Sequence, residues 1–200
     1  MRNLLLPLVA FLLISCAGEP TKETLNTGIG TDTFSANKDI DSIVKNKDEY
    51  TPASFSGTVI KTGATTPAQL LSFAKTLAGI PYKYGSTDPD QGFDCSGFIT
   101  YIFNHFNIAV PRSSVDFTNV EREINLAEAK AGDIILYTGT DSTIRIVGHM
   151  GVITSNDNGA IEFIHSTSGK ADGVTITPLN SYYMGRFLKV IRVFTQNDVI

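Results

Sequence analysis

The chain has 200 residues and carries 16 Lys and Arg against 20 Asp and Glu, a net charge of −4. The acidic balance and the lack of a basic run argue against nucleic acid as a partner. About 140 residues of organised pattern fit one domain of ordinary size, large enough for its own core.

The first stretch, MRNLLLPLVAFLLISCAGEP, has a short positive start at Arg2 and an apolar run from Leu4 to Ile14 broken only by Pro7. Eleven residues make about 16 Å of helix, too short for a bilayer core of roughly 30 Å. Residues 1–15 are therefore expected to be a secretory signal peptide. Leu13-Ile14-Ser15-Cys16 resembles the bacterial lipobox. That resemblance implies cleavage before Cys16 and lipid on its sulfur and its new amino group. Several acyl chains would hold the protein firmly on a membrane surface. Ala17-Gly18, rather than an aspartate, follows the cysteine, which points by analogy to the periplasmic side of the outer membrane. Cleavage also removes Arg2 and leaves 15 basic against 20 acidic residues, a net charge of −5.

Residues 16–60 are expected to be the lipidated N-terminus and a linker. Thr, Asn, Asp, Gly, Ser and Lys dominate up to about residue 50, a composition that buries little apolar surface. Phe55 to Lys61 (FSGTVIK) is a candidate short strand packed on the main domain, which is expected over residues 61–200. A helix is signalled at Pro67 to Ala78 by Thr66 as N-cap, Pro67 at the first position and Gln69 at the capping-box spacing. Gly79 and Pro81 stop it. A turn-rich stretch, YKYGSTDPDQG, then leads into Gly92-Phe93-Asp94-Cys95-Ser96-Gly97-Phe98. From Ser96 the apolar positions Phe98, Ile99, Ile102, Phe103 and Phe106 fall at helical spacing. Cys95 thus sits at the N-terminus of an amphipathic helix ending near His105.

The second half changes period. Strands are expected at Asp133 to Thr138, Ile144 to Thr154, Ala160 to His165, Val174 to Thr177 and Phe187 to Phe194, separated by Gly-, Asn- and Asp-rich turns. Helices followed by hairpin-linked strands imply an α+β fold with an antiparallel sheet.

With lipid on Cys16, Cys95 has no disulfide partner in the chain. A leftover cysteine in an exported protein is a reactive thiol, an intermolecular link or an inert buried residue. At a helix N-terminus, free backbone N–H groups and the macrodipole favour a thiolate and can stabilise an oxyanion. A thiol nucleophile needs a histidine base. His105 lies ten residues along the same helix, roughly 15 Å away, out of reach. His149 and His165 remain, on consecutive strands. Their separation of sixteen is even, so both are expected on one side of the sheet if no bulge intervenes. Asp94 caps the helix, receives a cationic group of a substrate, or does both. One Cys, two His and an Asp could also form a zinc set, but no CxxC or HExxH spacing is present. No metal and no cofactor is expected.

Six motifs in order carry a family resemblance: Leu77–Gly85 (LAGIPYKYG), Phe93–Phe98 (FDCSGF), Val110–Ser114 (VPRSS), Ala131–Ile134 (AGDI), Gly148–Val152 (GHMGV) and Phe163–Ser166 (FIHS). From about Ala68 to Phe194 the chain resembles NlpC/P60 cell-wall cysteine peptidases. The resemblance implies a papain-like core with the cysteine at a helix N-terminus packed on an antiparallel sheet. It implies Cys95 as nucleophile, His149 as general base and His165 as the residue orienting it. It implies Tyr82, Asp94 and Ser96 at the substrate site, with Arg112 a motif arginine. Gly85-Ser86 departs from the paired glycines of many members. The expected function is a monomeric, lipid-anchored peptidoglycan endopeptidase acting on stem peptides or cross-links through an acyl-enzyme. The alternatives are an inactive wall-binding lipoprotein and a Cys-His amidase on a non-wall substrate.

Overall fold

The computed structural model describes residues 55–199. The expected signal peptide (1–15), Cys16 and the linker up to residue 54 lie outside the described residues.

Helix α1 (Pro67–Thr76) begins on a complete capping box: Gln69 N–H donates to Thr66 Oγ1, and Thr66 N–H to Gln69 Oε1. It buries Leu70, Leu71 and Ala74 and ends two residues before the expected Ala78, with Gly79 at φ +87° just beyond. The turn-rich stretch holds a small hairpin, β1 (Thr87–Asp88) with β2 (Gly92–Phe93). Helix α2 (Cys95–Asn104) follows at once and starts on Asp94 as N-cap. Its buried Phe98, Ile99, Ile102 and Phe103 form the centre of the core.

The strands are β3 (Arg122–Ile124), β4 (Ile134–Thr138), β5 (Val147–Asp157), β6 (Ala160–Thr167), β7 (Gly173–Pro178) and β8 (Phe187–Arg192). They form one antiparallel sheet in the order β3-β8-β4-β5-β6-β7. The expected α+β class holds. Met150, Val152 and Ile164 pack on one face with the residues of α1 and α2. Side chains alternate across a strand, so Tyr137, Ile153 and Phe163 lie on the other face. There they meet Tyr183 of a short helix, α3 (Ser181–Arg186). Six residues between two strands carry too little periodicity for α3 to be visible in the sequence.

Two expectations are corrected. Phe55 to Lys61 does pack on the domain through buried Ile60, but it forms no strand. Its backbone bonds are local to Glu121: the Ile60 N–H donates to the Glu121 carboxylate, and Glu121 N–H donates to Thr58 O at 2.7 Å. Gly57 at φ +119° breaks the extended path. The strand expected from Ile144 begins instead at Val147, leaving Ile144 and Ile146 exposed in a loop, and runs on to Asp157.

Candidate active site

Asp94 organises the start of α2. Its Oδ1 accepts from Gly97 N–H at 2.5 Å, which caps the helix. Both carboxylate oxygens are also held by Arg112, Nη1 to Oδ1 at 3.1 Å and Nη2 to Oδ2 at 2.8 Å. Ser96 Oγ closes the cluster by donating to Asp94 Oδ1 at 3.2 Å and accepting from Arg112 Nη1 at 3.0 Å. The cation that Asp94 meets is therefore the chain's own Arg112. Gly97 has to be a glycine, since a Cβ there would lie 2.0 Å from Ser86 O.

Cys95 is a half-buried free thiol. Burial first, and the Asp94 charge second, push its pKa up to about 11, against the backbone N–H groups of Ser96 and Cys95 and the Arg112 charge. The free protein thus holds a thiol at neutral pH, where the helix N-terminus alone would favour a thiolate. Tyr82 stands nearby: its hydroxyl pKa is raised by burial and then by the charges of Cys95 and Asp94. The backbone of Tyr82 bridges Phe93, and its N–H donates to Asp172 O at 3.1 Å, which joins this segment to the β7 side of the sheet. Ser166 Oγ donates to Phe93 O at 2.7 Å and ties β6 to the residue before Asp94.

His149 and His165 are brought together. His149 Nε2 lies 2.8 Å from His165 Nδ1, and His165 Nε2 lies 2.9 Å from Thr177 Oγ1 on β7. Both rings are buried, on the face that carries Tyr137, Phe163 and Tyr183. Burial, then His165 and Arg186, hold the His149 pKa well below the usual histidine range. Burial and Arg186 push His165 down to about 3. Both are neutral imidazoles at pH 7. Helix α2 packs against β5 and β6, the strands that carry them. No hydrogen bond joins Cys95 to either ring among the described residues, and His149 Nδ1 takes part in none.

The shared face arises differently from the sequence expectation. Asn158 and Gly159, at φ +54° and +91°, form a two-residue turn of the type that twists with its strands. Across such a turn, partners stand an odd number of residues apart, as in Asp157↔Ala160. Residues sixteen apart would then face opposite sides. An extra residue, Thr154, between the Ile153↔Phe163 and Ser155↔Glu162 pairs shifts the register to Val152↔Ile164, and the histidines share a face. A bulge is what unites them.

His105 is kept apart, stacked on Phe73 with ring centroids 3.6 Å apart at the end of α2. Arg186 and Thr177 carried no sequence signal. Arg186 is buried beside the histidine face. Its Nε and Nη2 donate to Gly139 O at 2.8 Å and Thr138 O at 2.9 Å, its Nη1 to Tyr182 Oη at 2.8 Å.

Comparison with known proteins places the fold in a family. The NlpC/P60 family model matches residues 79–193. The gamma-DL-glutamyl hydrolase of Bacillus subtilis is 31% identical over 129 residues, which cover 64% of this chain and 30% of that protein. The probable peptidoglycan endopeptidase LytE of the same organism is 38% identical over 122 residues, 60% of this chain and 33% of that one. The chain therefore spans about a third of the length of these two relatives. Among solved structures, an NlpC/P60 family protein from Bacillus cereus superposes with a TM-score of 0.58 at 26% identity, covering 66% of this chain and 42% of that one. With the family model matching more than half of its length, the chain belongs to the NlpC/P60 family.

Proposed function

We propose that this protein is a cysteine-type peptidoglycan endopeptidase that hydrolyses an amide bond in murein stem peptides or cross-links. The observation that carries the reading is a thiol on an Asp94-capped helix N-terminus, in one fold with a hydrogen-bonded pair of neutral histidines. A protonated thiol and a neutral imidazole are the starting states general-base catalysis requires. The Cys95 sulfur attacks the scissile carbonyl as its proton passes to His149 Nδ1. Backbone N–H groups at the start of α2 steady the oxyanion, with Tyr82 beside them. His149 then returns the proton to the leaving amine, and water, activated by the same nitrogen, releases the acyl group. His165 holds the His149 ring through its other nitrogen. Asp94 and Ser96 line the substrate side.

The names of the two Bacillus subtilis relatives support a wall peptide as substrate and a γ-glutamyl amide as the first bond to test. Full-length protein incubated with purified peptidoglycan is expected to release muropeptides whose masses identify the bond. Cys95→Ala is expected to lower turnover by at least about a thousandfold. Undiminished turnover by that variant would overturn the reading, and activity on acyl-amines without activity on muropeptides would favour a non-wall amidase.

The lipobox-like Leu13–Cys16 supports lipid attachment at Cys16 and a periplasmic site on the outer membrane. Radiolabelled palmitate is expected to enter the wild-type protein and not Cys16→Ala; equal labelling of both removes the anchor from Cys16.

A further inference from the structure

We propose that Thr177 is a positioning residue that, as a hydrogen-bond acceptor, allows the histidine pair to hold the tautomer in which His149 Nδ1 is free to act as the base. The inference rests on the peptidase reading above. One proton lies between His149 Nε2 and His165 Nδ1, and both rings are neutral, so the chain of bonds can run in two directions. In the first, His149 Nε2–H donates to His165 Nδ1, His165 Nε2–H donates to Thr177 Oγ1, and His149 Nδ1 keeps its lone pair. In the second, His165 Nδ1–H donates to His149 Nε2, and His149 Nδ1 carries the hydrogen. Only the first leaves His149 able to accept a proton from Cys95.

Thr177 is what makes the first direction affordable in structural terms. It places His165 Nε2–H 2.9 Å from a hydroxyl oxygen, while His165 itself is fully buried. The ring is walled by Phe163 and Tyr183, with centroids 4.7 and 5.5 Å away, and Thr177 Oγ1 is the hydrogen-bond partner of its Nε2. A buried N–H without a partner is rarer and costlier than an acceptor with a spare lone pair. Without the hydroxyl, His165 would move its hydrogen to Nδ1 and leave Nε2 bare. That shift would place the His149 hydrogen on Nδ1 and block the base. The sheet register supports the placement. His165 pairs with Thr175 and Phe163 with Thr177, so Thr177 lies diagonally opposite His165 on the same face.

The test compares the full chain with Thr177→Val, which removes the acceptor at nearly constant volume, and Thr177→Ser, which keeps it. Ring-nitrogen NMR at pH 7 is expected to report Nε2–H on both His149 and His165 in the wild type and in Thr177→Ser. In Thr177→Val the hydrogens are expected to move to Nδ1. On muropeptides, Thr177→Val is expected to lower kcat about tenfold with KM unchanged, and Thr177→Ser to recover most of it. Wild-type tautomers in Thr177→Val, or an unchanged kcat, would overturn the proposal. A folded wild-type protein that shows the expected tautomers but cuts no muropeptide would overturn the peptidase reading and leave the role of Thr177 in the pair standing.

Discussion

Asp94 serves the helix and opposes its thiol at the same time. The carboxylate caps α2 and pairs with Arg112, yet its charge is, after burial, the main cause that raises the Cys95 pKa. Asparagine keeps a capping acceptor and removes the charge. Asp94→Asn is therefore expected to bring the thiol pKa below its value of about 11. Alkylation by iodoacetamide at pH 8 would then quicken by about tenfold for each pKa unit lost. An unchanged or slower rate would mean that the charge is not felt at the sulfur. The residues of this cluster were legible because Asp94, Cys95 and Ser96 are consecutive and stand before a helical pattern. The protonation state was not, because burial depends on tertiary contacts that outweigh the helix end. Arg186 and Thr177 stand in unremarkable stretches, YMGRF and VTIT, and reach the histidines only through the fold.

At the scale of the elements, the site depends on irregularities. Helices α1 and α2 and the five larger strands, β4 to β8, follow from capping residues and apolar period, which act locally. Face and register do not follow, since one inserted residue moves every later side chain to the other side of the sheet. Thr154 is such a residue, and nothing in the run of β-branched and small side chains around it marks it. A second shift lies beside His149, where Tyr137 pairs with His149 but Thr138 with Val147, leaving Gly148 as the extra residue. Gly148 accommodates this because a Cβ would come within 2.7 Å of Gly139 N. Gly151 gives the histidine pair its space. A methyl there would lie 2.7 Å from the Phe163 ring, 2.9 Å from Ile164 O and 3.2 Å from His165 Cβ. The carbonyl belongs to the paired strand and cannot swing aside, so the two glycines flanking Met150 and His149 are requirements of the site as well as of the sheet. The GHMG spacing was visible from the start, but its reason lies in the packing of β5 on β4 and β6.

For the whole molecule, the buried histidines couple catalysis to acid stability. In the unfolded chain His149 and His165 bind protons near pH 6.5. In the fold, burial, and Arg186 close by, hold both well below that value, with His165 at about 3. His105, exposed and stacked on Phe73, shifts in the same direction. Between these limits the unfolded state binds more protons than the folded state, so stability is intact above about pH 6.5 and falls as the pH drops. Each of the two buried histidines, His149 and His165, contributes a slope of up to about 1.4 kcal/mol per pH unit. Glu121 acts in the opposite sense, since burial raises its pKa and the fold takes up its proton early. One raised carboxyl stands against two buried histidines, and the hydrogen bonds that hold the Asp141 and Asp198 carboxyls down act in the same sense as the histidines, so the net loss lies on the acid side. Urea unfolding at pH 7, 6, 5 and 4 is expected to show falling stability, steepest between pH 6 and 4. His165→Asn replaces one titrating ring with an amide that can accept from His149 and donate to Thr177, and it is expected to make that decline shallower. An identical pH slope in wild type and variant would show that His165 is not held neutral by the fold, and would remove the neutral pair from which the proposed proton transfer starts.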